Sequence, residues 1–126
     1  MGAQLSFFPV VDEKEVRTIV VKELKNYRAL KIQQQNKLEL NDKGIKGSIF
    51  PKLRDNDLEN ELKIIQMERA LKNLDFFEYE IIKKKYLVTD EYTDINIYLD
   101  LGIKKGKYYS KKKTAIINIA TALGII

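Results

Sequence analysis

Six lysines lie in the last 26 residues of the chain, and no acidic residue accompanies them. Residues 1–100 hold 17 basic and 18 acidic residues, so the whole positive excess lies in this C-terminal segment. A basic segment on an otherwise balanced chain indicates a specific binding surface for a polyanion such as nucleic acid. In a lysine-rich helix that is merely solvated, glutamates normally alternate with the lysines, and this segment contains no glutamate.

The chain contains no cysteine and no histidine. Disulfides, thiolate metal sites and histidine-based acid–base catalysis are therefore excluded. We predict no metal, no cofactor and no enzymatic activity. The alternative is a metal-dependent nuclease built on Asp90, Glu91 and Asp94. Those acids are more typical of a solvated turn followed by a helix N-terminus, where the helix dipole favours negative charge.

Length and hydropathy place the chain among single-domain proteins without a membrane partner. It has 126 residues, and no apolar run approaches the roughly 18–20 residues that span a bilayer. Lysine and isoleucine are the most frequent residues, which indicates an AT-rich bacterial or phage genome. We therefore expect a location in the bacterial cytoplasm.

The hydrophobic periodicity predicts an all-α fold that begins with an amphipathic helix. Asp12 is the expected cap of a helix over residues 12–32, whose apolar stripe recurs at three- and four-residue steps. Residues 33–56 lose that period and contain two glycines and Pro51, so we predict a loop or linker there. A connection of this length indicates that residues 1–32 form a separate arm or a dimer contact.

Two further helices are predicted before the basic segment. Over residues 57–74, with Asp57 as the cap, the expected core stripe consists of Leu58, Leu62, Ile65, Leu71 and Leu74. Over residues 76–87, with Asp75 as the cap, the core candidates are Phe77, Ile81, Ile82 and Tyr86.

The last part of residues 57–126 has the order of a helix-turn-helix, at about residues 93–123. A short helix starts at Thr93, Gly102 supplies a tight turn, and a basic helix follows from about residue 105 to 123. Ile103 is the apolar plug after the turn. The second helix of such a unit lies in the DNA major groove, with its N-terminal residues at the base edges.

Helical spacing separates the residues of this basic helix into two faces. Tyr108 and the apolar residues after it face the core, while Lys112 is expected to pack its stem and extend its amine into solvent. Tyr109 and Ser110 are placed for base edges, and Lys111 and Lys113 for phosphates. The DNA-binding residues predicted in this segment are Lys104, Lys105, Lys107, Tyr109, Ser110, Lys111 and Lys113.

Residues 86–120, YLVTDEYTDINIYLDLGIKKGKYYSKKKTAIINIA, resemble the C-terminus of the ArpU family, and residues 7–30 resemble that family's opening segment. The most specific part of the likeness consists of Asp94 and residues 97–103, with Tyr109 and residues 111–113. The family contains autolysin regulatory and phage late-gene regulators, so the resemblance implies a transcriptional activator of packaging or lysis genes. The same half is similar to the region of sigma factors that reads the −35 promoter element. This resemblance adds Thr93, which matches the phosphate-contacting cap there, to the predicted DNA-binding residues. Lys104 departs from the pattern, which favours serine there.

The expected partner is therefore double-stranded promoter DNA, with host RNA polymerase as a further candidate and a monomer or homodimer as the assembly. An alternative is a phage packaging or replication accessory, such as a small terminase-like DNA binder, which uses the same motif within a ring. The oligomeric state separates these two hypotheses, since a ring of eight or more subunits would contradict the hypothesis of a promoter-binding protein.

Overall fold

The computed structural model describes residues 12–90 and 92–126, and this part of the chain is all-α, as predicted. Residues 7–11 of the family resemblance, and Glu91, lie outside the described residues. Among the described helices, none combines the length and the apolar character needed to cross a membrane. The helices are α1 (Glu13–Asp42), α2 (Asp57–Lys72), α3 (Phe76–Ile82, continued by a π-helical stretch, Lys83–Leu87), α4 (Asp94–Leu101) and α5 (Lys105–Ala122).

The first helix is longer than the sequence predicts. Asp12 caps it as expected, since its carboxylate accepts the backbone N–H groups of Lys14 and Glu15. The predicted end at residue 32 is wrong, because the polar tract after it contains no helix breaker and consists largely of good helix formers. The helix ends only before Gly44, whose φ of 72° is left-handed, and the loop is shortened to residues 43–56.

The two halves of α1 differ in their surroundings. Val16, Val20 and Leu24 are buried in the main core together with residues of α2, α3 and α5, so this half is not a separate arm. Beyond Leu30 the helix projects from that core, and its side chains there are mostly exposed. The first half of the predicted arm and the predicted DNA-binding domain therefore share one hydrophobic core.

The second helix presents a different face to the core from the one predicted. Leu71 is buried as expected, but Leu58, Leu62 and Ile65 are exposed. The buried positions of α2 are Ile64, Met67, Ala70 and Leu71. Nor is Asp57 the cap: α2 starts at this residue, and its carboxylate instead pairs with lysines of α1 and the loop.

The third helix starts as predicted. Asp75 and Glu78 form a capping box, in which each carboxylate accepts the other residue's backbone N–H at 2.8 and 3.0 Å. Ile81 packs in a second, smaller core with Ile97 of α4 and Tyr108 of α5. Ile82 joins the main core, so α3 connects the bundle to the two C-terminal helices.

Candidate nucleic-acid interface

The connection between α4 and α5 is three residues long and is closed by backbone hydrogen bonds. Gly102 adopts a left-handed conformation, with φ 67° and ψ 30°. Its N–H donates to the carbonyl of Leu99, and the N–H of Ile103 donates to the carbonyl of Tyr98, at 3.2 and 3.1 Å. This is the Schellman pattern, which satisfies the last carbonyls of a helix and reverses the chain. Ile103 is half-buried against the smaller core, as the sequence predicts.

The carboxylate of Asp94, at the start of α4, binds two side chains of α5, a role that the sequence alone does not predict. The buried Tyr108 donates its hydroxyl hydrogen to Asp94 Oδ1, and Lys112 Nζ lies 3.1 Å from the same oxygen. Lys85 Nζ approaches it at 3.6 Å. Burial alone would raise the pKa of Asp94. The hydrogen bonds from Tyr108 and Lys112, together with the positive charges of Lys112 and Lys85, instead lower this pKa below its ordinary value.

Two predictions for the inward face of α5 have different outcomes. Tyr108 is fully buried, which confirms its assignment to the core, and burial with the bond to Asp94 raises its pKa. The prediction that the Lys112 amine extends into solvent is wrong. Its side chain is only 14% exposed, and its ammonium contacts Asp94 and lies about 6 Å from the ring centroids of Tyr86, Tyr108 and Tyr109.

The outward face of α5 carries short polar side chains flanked by lysines. Lys107, Ser110 and Thr114 are all exposed and follow one another at three- and four-residue steps, so they form one line. Thr114 was absent from the predicted set, although its spacing from Ser110 identifies it. Tyr109 lies beside this line, 42% exposed, with its ring edge against Tyr108 at a centroid distance of 5.0 Å.

The lysines of this segment differ in their partners. Lys111 forms an ion pair with Asp75, and Lys113 with Glu13 at 3.0 Å. Lys107 holds its ammonium 4.5 Å from the ring centroid of Phe77. The two lysines predicted to contact phosphates, Lys111 and Lys113, therefore already have carboxylate partners within the chain.

The remaining two lysines lie where α5 begins. Lys104 and Lys105 are exposed, and among the residues that the structure describes no carboxylate oxygen lies within 4 Å of either ammonium. Lys104 occupies the N-cap position and provides no side-chain acceptor to the helix. The first backbone N–H groups of α5 therefore remain open to an external acceptor.

Thr93 lies at the start of the other helix of the pair. Its hydroxyl oxygen accepts the backbone N–H of Asn96 at 3.2 Å, which confirms the predicted cap of α4. The Thr93 side chain is exposed. Because Thr93 directly precedes Asp94, the residue that caps α4 and the residue that binds α5 lie in the same turn. The start of α1 also approaches this region: Glu13 and Arg17 face Tyr109 and Lys113 across an open groove of about 310 Å³.

Acidic side chains in the described residues do not converge on a common point. No three of them form a group that could hold a metal ion in residues 12–90 and 92–126. Asp90 is exposed, and Asp94 is held by Tyr108 and Lys112. Compared with known proteins, the chain matches no protein-family model, no curated protein and no solved structure.

Proposed function

We propose that this protein is a sequence-specific, double-stranded-DNA-binding transcriptional regulator whose helix α5 enters the major groove. The observation that carries the proposal is the outward face of α5, where exposed lysines flank a line of short polar side chains. A helix with side chains is about 10–12 Å wide, and the major groove of B-DNA is about 12 Å wide. The tight turn and the Asp94 anchor hold this face rigidly.

In this proposal the start of α5 contacts the phosphate backbone. Lys104 and Lys105 supply two positive charges next to the open backbone N–H groups of the first turn. A helix N-terminus attracts anions through these N–H groups and through the helix dipole. Phosphate contacts of this kind set the position and orientation of the protein on DNA.

The middle of the same face is assigned to base recognition. Ser110 and Thr114 carry hydroxyl groups that can donate to or accept from base edges, and Lys107 can donate to guanine acceptors. Tyr109 presents a partly exposed ring and hydroxyl beside them. These four residues are candidates for sequence preference.

Lys111 and Lys113 contribute less to phosphate binding in this proposal than the sequence predicts, because each already has a carboxylate partner. The pair of Lys113 with Glu13 is 62% exposed on both sides, so it is weakly held and a phosphate can replace the carboxylate. Lys111 is less exposed, at 31%, and fastens α5 to the cap of α3. Each therefore gives up an internal contact when it binds DNA.

The resemblance to the ArpU family supports the regulatory part of the proposal. It favours activation of phage late genes for packaging or lysis, in a bacterial cytoplasm. The likeness to the promoter-reading part of sigma factors favours host RNA polymerase as a second partner. In this proposal the protein catalyses no reaction.

Salt-dependent binding to DNA duplexes tests the proposal. We expect Lys104→Ala and Lys105→Ala each to weaken binding and to lower the salt slope by about one unit, because each lost phosphate contact releases about one counterion fewer. Lys111→Ala and Lys113→Ala should lower the slope by less. Lys25→Ala is the matched control, since this exposed lysine lies on the outer face of α1.

Selection from a random duplex library tests specificity. Thr114→Ala and Ser110→Ala should change the selected bases at defined positions, while Lys105→Ala should weaken all sequences alike. Binding that does not depend on salt would refute the proposal, as would selection that enriches no sequence.

A further inference from the structure

Helix α2 has two apolar faces, and only one of them lies in the core. Leu58, Leu62 and Ile65 recur at four- and three-residue steps and are 70%, 46% and 50% exposed. They lie on the side opposite Met67 and Leu71, which are buried. An apolar stripe opposite the core side of a helix is typical of an interaction surface.

The charges around this stripe are arranged with opposite signs at its two ends. The first turn of α2 contains Asp57 and Glu59, and the last turn contains Arg69 and Lys72. Glu61 and Arg69 lie beside and beyond the stripe, both exposed. Among the residues that the structure describes, neither has an ion-pair partner, although eleven ion pairs form elsewhere.

We propose that the Leu58–Leu62–Ile65 stripe binds a second copy of this chain about a two-fold axis, with the two α2 helices antiparallel. In that arrangement Glu61 of one copy approaches Arg69 of the other, and symmetry forms this pair twice. A parallel arrangement would place equal charges side by side. The pattern of unpaired charges therefore fits a second copy of the same surface better than an unrelated partner.

A two-fold dimer has a consequence for DNA binding, which rests on the proposed function. The same axis relates two copies of α5, so the DNA site would consist of two inverted half-sites. The self-association itself involves no DNA.

Light scattering during size-exclusion chromatography, without DNA, tests the dimer. We expect the wild-type chain to be a dimer and Ile65→Glu to be a folded monomer. The pairing of Glu61 with Arg69 places the two-fold axis near residue 65, so the two new carboxylates would face each other there, and the dimer Kd should rise by at least about 100-fold. Leu99→Glu is the matched control, since Leu99 is 68% exposed on α4 and should leave the dimer intact. Circular dichroism checks that both variants remain helical.

Charge reversal tests the antiparallel pairing. Glu61→Arg and Arg69→Glu should each raise the Kd, and the double variant should restore it to within a few-fold of the wild type. A wild-type chain that stays monomeric up to about 100 μM would overturn the dimer, as would a ring of subunits or equal effects at Ile65 and Leu99. A double variant that does not recover would overturn the antiparallel pairing. None of these outcomes depends on DNA binding, which is measured separately.

Discussion

Replacing Asp94 should destabilise the protein strongly, because one carboxylate serves the buried Tyr108 hydroxyl and the Lys112 ammonium. Hydrogen bonds to a charged group contribute about 1.5–3 kcal/mol each, and removing one partner leaves the other unpaired. Lys112 is only 14% exposed, so water replaces the lost carboxylate poorly. We expect Asp94→Ala to lower the free energy of unfolding by about 3–4 kcal/mol, a large part of the roughly 5–15 kcal/mol typical of a domain.

Urea unfolding followed by circular dichroism measures this loss, and a double-mutant cycle isolates its cause. Tyr108→Phe removes the hydroxyl without removing the ring, and the coupling free energy with Asp94→Ala should be about 1–3 kcal/mol. Asp94→Asn keeps an acceptor for the hydroxyl but loses the charge, so it should fall between the wild type and the alanine variant. A loss below about 0.5 kcal/mol for Asp94→Ala, the range of ordinary surface changes, would refute the anchoring role.

The same carboxylate predicts a sensitivity to acid. The pKa of Asp94 is lower in the folded protein than its ordinary value of 3.8. A depressed pKa contributes stability that is complete above the unfolded value and is lost as the pH falls below it, through the folded value. The wild type should therefore lose more stability than Asp94→Asn when the pH falls below about 4. Equal acid sensitivity of the two proteins would contradict this assignment.

Two further predictions concern the turn between α4 and α5. Lys104→Ser should give α5 a side-chain cap and raise the free energy of unfolding by about 0.5–1 kcal/mol, while it weakens DNA binding through the lost charge; a stability no higher than the wild type would contradict the missing cap. Gly102→Ala should cost about 1–2 kcal/mol, because its φ of 67° is left-handed, although no atom lies within 4 Å of the added Cβ. Gly106→Ala, a matched control inside α5 with equally open space, should instead stabilise the protein by about 0.5–1 kcal/mol in the same urea titration.

The sequence predicted the C-terminal helices better than it predicted α2. Thr93, Gly102 and Tyr108 have roles that depend on local spacing, and the structure places all three as expected. In α2 the stripe of Leu58, Leu62 and Ile65 has the same helical spacing as a core face, but it faces solvent. Periodicity identifies an apolar face without indicating what covers it. When a helix has two such faces, as α2 does, periodicity does not indicate which of them packs in the core.

The candidate site shows a similar division between local and long-range information. Lys111 and Lys113 are equivalent in the sequence to the other lysines of the basic segment. Asp75 and Glu13, their partners, are 36 and about 100 residues away along the chain, so no local pattern could predict these pairs. For the same reason the sequence predicts Asp94 only as an acid at a helix N-terminus, since its partner Tyr108 lies 14 residues later on another helix.

Composition and short-range patterns alone determined that the chain is helical, where α4 and α5 begin, and that its positive excess lies at one end. Charge totals and caps depend on residue identity and on neighbours within a few positions. Only the tertiary structure decided which lysines of that basic segment are already paired, and that Lys112 points inward to Asp94. Side-chain partners across helices depend on how the helices pack, and this packing follows from burial over the whole chain.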